Sequence, residues 1–223
     1  MKSFGKILSL VLICIMLMTI CVSAAQNKEY ADTLYDLGLF RGTDKGYELD
    51  RGFTREEAAT VLVRLLGEEE MAYKASYDEV FDDVSSDSWS FPYVMYCYEN
   101  DITKGTGKNT FSPKVTISAE EFVTLVMRLL GYSDTEPETA LEECVYANLI
   151  NSEIARGLKK SEEFLRDDMV YIVYRSLMTR NSDGKILADE LADKGVISKK
   201  EASEFDIYET ASDMDELIDR LLN

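Results

Sequence analysis

The chain has 223 residues, with 24 Lys and Arg against 42 Asp and Glu, a formal net charge of −18. So acidic a chain, with no basic stripe to neutralise phosphates, speaks against a nucleic-acid partner, and solubility accounts for the excess. It contains no histidine, which excludes Ser-His-Asp and Cys-His catalysis and removes the commonest metal ligand.

Residues 1–25 read as a secretory signal peptide. Lys2 and Lys6 form a short positive start, and Ile7 to Cys21 is almost unbroken apolar sequence. At about 15 residues it is too short to cross a hydrocarbon core of about 30 Å comfortably. Val22-Ser-Ala24 supplies the small residues of a cleavage site, with the cut expected after Ala24 or Ala25. Ile20 stands before Cys21, where lipid attachment would want a small residue. Removing the leader leaves 22 basic residues against 42 acidic, a net of −20. No later apolar run approaches about 18 residues, so no integral membrane segment is expected after cleavage. Cys97 and Cys144 remain, each within an apolar helical stretch. Two buried free thiols are the expected state, over the disulfide that an oxidising setting would permit.

The chain repeats itself. Phe53 to Gly67 aligns without a gap on Ile117 to Gly131, and both stretches end Arg-Leu-Leu-Gly. A weaker third copy runs from Phe164 to Leu177. Each copy predicts a helix. Thr54 and Ser118 suit the N-cap, with Glu57 and Glu121 three residues on as a capping box requires. Gly67 and Gly131 are natural stops. Leu165 cannot cap in this way, which leaves the third start less defined.

Upstream of each copy lies a second helical pattern and a turn. These are Tyr30 to Leu37 before Gly38-Leu-Phe-Arg-Gly42, Phe91 to Asn100 before Asp101-Ile-Thr-Lys-Gly105, and Thr139 to Asn148 before Leu149-Ile150. Short extended pieces follow in the first two, Tyr47-Glu-Leu-Asp50 and Phe111-Ser-Pro-Lys114. One such unit cannot bury its apolar face alone, whereas three can share a core. After Arg180, two short helices are expected over Ile186–Asp193 and Lys199–Phe205, then an acidic helix over 209–223. This tail is either a cap on the bundle or a contact element.

The second unit resembles an S-layer homology repeat in Phe81-Asp-Asp83-Val84, Trp89, Tyr93, Ile102-Thr-Lys-Gly105, Phe111-Ser-Pro113 and Ser118-Ala-Glu-Glu121. The first keeps Leu39-Phe-Arg-Gly42, Tyr47-Glu-Leu-Asp50 and Thr54-Arg-Glu-Glu57, and the third mainly Leu165-Arg-Asp-Asp168. The resemblance spans roughly residues 30–178. It implies a mainly α fold: a pseudo-threefold helical bundle of three helix–turn–extended–helix units, residues 26–67, 80–131 and 139–178, with a short helical tail over 179–223.

It further implies binding of a cell-wall polysaccharide, often pyruvylated, in grooves between units, and a wall-associated place on the bacterial surface. The motif arginine that contacts the anionic sugar falls by position on Arg55 and Arg166. Trp89, Asp83, Gly105 and Glu57 complete the expected glycan-binding set. The matching position in the second unit is Ala119, a departure that deprives one of three grooves of its cation and implies that this site is dead. A guanidinium at a helix start can take a carboxylate bidentately beside free amides. The competing reading is plain pairing of these arginines with surface acids. Arg64, Arg128 and Arg175 also recur and read as helix-end charges that suit the dipole.

Two other functions compete with this one. An exported protein-interaction module that has lost glycan binding is the alternative, favoured by Ala119 and the degenerate outer units. An enzyme is not expected, because the many carboxylates fall on helix starts and connectors, where solvation explains them. Asn181-Ser-Asp183-Gly184-Lys-Ile186, with Glu190, imitates part of a calcium loop, but Thr179 stands where its first ligand should be. A simple turn is the better reading, and neither metal nor cofactor is expected.

Overall fold

The computed structural model describes residues 27–205. The signal-peptide reading of 1–25 and the acidic helix pattern of 209–223 fall outside the described residues. In chain order the helices are α1 (Lys28–Asp36), α2 (Arg55–Leu65), α3 (Glu69–Lys74), α4 (Phe91–Glu99), α5 (Ala119–Leu129), α6 (Ala140–Tyr146), α7 (Ser152–Lys160), α8 (Arg166–Leu177) and α9 (Leu187–Asp193). Residues 199–205 are also helical. Among the described residues, extended backbone pairs only as isolated bridges, such as Gly52 with Leu165 and Thr54 with Thr116. The fold is mainly α, as the sequence predicts.

The three long helices α2, α5 and α8 start by different means. Thr54 and Ser118 each accept from the amide three residues on, and Glu57 and Glu121 return the bond to the cap amide. Leu165 has no such oxygen, yet α8 begins at once. The Asp168 carboxylate accepts from the Leu165 amide at 3.0 Å. The first two α8 amides, of Arg166 and Asp167, donate to the carbonyls of Arg51 and Leu49 at 2.9 and 3.0 Å. Distant backbone acceptors thus satisfy the orphan amides that a cap would otherwise serve. The α2 start does the same, with Arg55 and Glu56 donating to Val115 and Pro113.

Each long helix packs on the first helix of another unit: α2 on α4, α5 on α6, α8 on α1. These pairs close into a ring. At its centre the rings of Phe53, Phe122 and Phe164 stand 5.4–5.5 Å apart, centroid to centroid. Burying three such rings removes large apolar areas from water, and their tilted contacts suit the ring quadrupoles.

Helix α7 has no counterpart in the other units. Asn151 caps it, accepting from the amides of Glu153 and Ile154, while Ala155 and Leu158 are buried. A helix therefore occupies the place of the extended segment found in the first two units.

Residues 181–205 pack back against the helices. The Tyr132 hydroxyl donates to the Arg180 carbonyl at 3.2 Å, Lys194 pairs with Glu68 at 3.1 Å, and Phe205 lies edge-on to Tyr174. Residues 181–186 form a turn in which the Asn181 side-chain oxygen accepts from the amides of Asp183 and Lys185. Cys97 and Cys144 are free and buried. Burial raises both thiol pKa values, that of Cys144 to about 12.

Candidate functional site

Two junctions between units carry a matched arginine. At the start of α2, Arg55 Nε donates to the Phe111 carbonyl at 2.8 Å, and Nη1 donates to Glu121 at 2.8 Å. Its guanidinium lies 5.1 Å from the centre of the Phe111 ring. At the start of α8, Arg166 Nε donates to the Tyr47 carbonyl at 2.8 Å, Nη1 lies 3.6 Å from Glu57, and the guanidinium covers Phe40 at 5.3 Å. The same chemistry recurs at both sites: a carbonyl, an acid and an aromatic face. Only 3% and 4% of Arg55 and Arg166 are exposed.

Burial lowers both guanidinium pKa values. Glu121 and Asp83 oppose this for Arg55. For Arg166 the neighbouring Arg51 adds to the lowering, and Glu57 opposes it. Glu57 itself is partly buried, which would raise its pKa. Its bond from Arg51 at 2.8 Å, the Thr54 amide and Arg166 outweigh this and hold it low.

Asp83 works on the same residue as Arg55. Its carboxylate accepts from the amides of Phe111 and Ser112 at 2.9 and 2.8 Å. Asp83 therefore holds the Phe111 N–H while Arg55 holds its C=O. Gly105 closes the loop beside them at φ +79°, and a Cβ there would sit 2.4 Å from the Thr110 carbonyl and 2.6 Å from the Phe81 ring.

Trp89 is half exposed, at 50%, with only its edge against Tyr93 at 6.4 Å. The next residue, Ser90, is buried and donates to Glu56 at 2.7 Å, tying this surface to the first turn of α2. Arg55, Asp83 and Gly105 are thus gathered around Phe111, Arg166 meets Glu57, and Trp89 stands apart on the outer surface.

The third junction, between the start of α5 and residues 161–164, is built differently. Ala119 replaces the arginine, and α7 replaces the extended segment that closes the other two. The result is a cavity of about 500 Å³, with Thr116, Ser118 and Ala119 on one wall and Lys159, Ser161 and Phe164 on the other. Asp168 holds the α8 position that Glu57 and Glu121 hold in α2 and α5. Among the described residues no arginine or lysine pairs with it. Burial raises its pKa and Asp167 adds to this, against the Leu165 amide.

The far wall of this cavity is not foreseen by the sequence reading. Asn151 as a cap and the lysines at 159 and 160 are the available signal for α7. Arg64, Arg128 and Arg175, which in sequence read as helix-end charges, have more specific partners. Their Nε atoms donate to Glu69, the Thr135 carbonyl and the Leu149 carbonyl. The last two staple a long helix to the segment that follows it or lies beside it.

Residues 80–123 match the family model of the S-layer homology domain. Over 109 residues, 48% of this chain, the sequence is 34% identical to the middle cell wall protein of Brevibacillus brevis, covering 10% of that protein. Over 97 residues, 43% of the chain, it is 35% identical to the surface layer protein of Brevibacillus choshinensis, covering 9% of it. A longer match of 168 residues, 72% of the chain, is 27% identical to the cell surface protein of Thermoanaerobacter kivui and covers 22% of that protein. The matched regions thus span about a tenth of the first two relatives and about a fifth of the third.

Proposed function

We propose that this chain, whose residues 80–123 match the family model of the S-layer homology domain, attaches non-covalently to a bacterial cell-wall polysaccharide, as a wall-associated surface protein without catalytic activity. The binding body consists of three units, residues 26–67, 80–131 and 139–178, with residues 179–205 as its cap. The observation that carries this reading is the repeated arginine junction. Arg55 and Arg166 sit at equivalent helix starts with equivalent partners. A guanidinium fixed through Nε and Nη1 still offers Nη2 to a sugar acid, and charge-assisted bonds of this kind are the strong ones. Glu57 and Asp83 hold the arginines and the loop in place, Gly105 lets the loop close, and Trp89 offers a flat apolar face to a sugar ring. A pyruvylated sugar is the anionic ligand this chemistry suits.

A second reading draws on the near-complete burial of both arginines. In it the junctions only hold the scaffold, and the protein docks another exported protein.

The test is sedimentation of residues 26–223 with purified cell wall, before and after chemical removal of its secondary polysaccharide. Binding that disappears with the polysaccharide supports attachment. Absence of binding to both preparations overturns it in favour of the protein-interaction reading.

A further inference from the structure

We infer that the cavity beside Ala119 is a binding groove for a neutral saccharide, distinct in charge preference from the two arginine junctions. This rests on the wall-attachment reading above and deepens it. The departure at Ala119, which in sequence implies a dead site, leaves a junction with open volume. At the other two, backbone pairing and a guanidinium left only 3–4% exposed take up the interior, so that a ligand can meet the arginine only at the edge of the junction. Here the volume is about 500 Å³, within the range of about 300–1,000 Å³ usual for small-ligand sites.

The lining decides the ligand class. Glu120, Glu162 and Glu163 bring three carboxylates to the groove, against the single ammonium of Lys159. Glu162, Glu163 and Lys159 are all exposed, so the lysine can turn to solvent. A sugar acid entering here meets like charge and no guanidinium, which disfavours it. Thr116, Ser118 and Ser161 supply hydroxyls that both donate and accept. Phe164, Leu158 and Ile117 also line it, each no more than 8% exposed, and give the groove a narrow apolar floor. Hydroxyls over an apolar floor, with excess negative charge at the rim, match a neutral polyol better than an anion.

The test uses residues 26–223 and two probes: a purified pyruvylated wall polysaccharide, and the same polymer freed of pyruvate by mild acid. Titration calorimetry reads both. The wild-type chain is expected to bind both probes. Ala119→Leu, which fills the groove without charge, is expected to weaken binding of the pyruvate-free polymer at least tenfold and of the pyruvylated polymer far less. Ala119→Arg serves as the second variant, with the same loss on the neutral probe, and circular dichroism melts verify that each variant folds. If the wild type binds the pyruvylated polymer only, wall attachment stands and this inference falls. The inference also falls if both probes bind and neither variant alters the neutral one. If the wild type binds neither probe, the attachment reading itself falls.

Discussion

Arg55 and Glu121 lie 66 residues apart in the chain and 2.8 Å apart in the fold. Glu121 at the same time accepts from the Ser118 amide at 3.0 Å, so one carboxylate caps its own helix and receives the cation of another. Glu57 does the same for Thr54 and Arg166. The ring is held together by acids that serve two helices at once.

Removing Arg55 leaves the Phe111 carbonyl unpaired and opens a junction in which the arginine is only 3% exposed. Arg55→Ala is expected to destabilise the fold by about 2–3 kcal/mol, measured by urea unfolding. Arg55→Lys should recover only part of this, because an ammonium lacks the fork that reaches carbonyl and carboxylate together. A loss below about 0.5 kcal/mol, the ordinary range for a surface change, would show the pair to be ornamental.

Asp168 and Glu57 should respond to pH with opposite signs. The folded pKa of Asp168 is raised above 3.8, so its charged form opposes folding at neutral pH, and this penalty is relieved as pH falls through the folded value. Asp168→Asn keeps an oxygen for the Leu165 amide. It is expected to raise the melting temperature at pH 7, with the gain closing as the pH approaches 3.8. The folded pKa of Glu57 is lowered below 4.5. Its contribution is therefore present above 4.5 and lost as pH falls through the folded value. Glu57→Gln should lower the melting temperature at pH 7 and converge with the parent in acid.

Two glycines separate strain from entropy. Gly105 has φ +79° and no room for a Cβ, so Gly105→Ala is expected to cost about 3 kcal/mol. Gly157 lies inside α7, where a methyl group on its Cα would meet nothing within 4 Å. Gly157→Ala should stabilise by about 0.5–1 kcal/mol through the unfolded chain. Thermal melts of the two variants should move in opposite directions.

Trp89 offers a test of binding free of folding. Its exposure means that Trp89→Ala should leave stability within about 0.5 kcal/mol. If its ring stacks on sugar, wall-polysaccharide affinity falls about three- to tenfold. Unchanged affinity in a titration would remove Trp89 from the binding surface.

What is legible in the sequence is local. The capping boxes at Thr54 and Ser118 need only residues three apart, and both helices start where those residues predict. The repeat makes the ring foreseeable, because a unit too small for its own core must share one. The start of α8 is not legible, since its amides are satisfied by carbonyls more than a hundred residues earlier. The closing of two junctions and the opening of the third are hidden for the same reason. They depend on which segment faces which, and α7 changes that segment in one unit alone. Residue identity names Arg55 and Arg166 but not their burial, which follows from ring packing around Phe111 and Phe40.

The ring also sets the order in which the chain can become stable. Asn27 is bonded to Asp167 across 140 residues, and Arg166 to Tyr47 across 119. A stacked array of repeats settles locally and grows from any point. Here α1 of the first unit waits for α8 of the third, so a chain emerging from its N-terminus cannot close the ring until α8 is available. High sequence separation of this kind slows folding. A truncation just before Arg166 should therefore unfold the whole body and not merely shorten it.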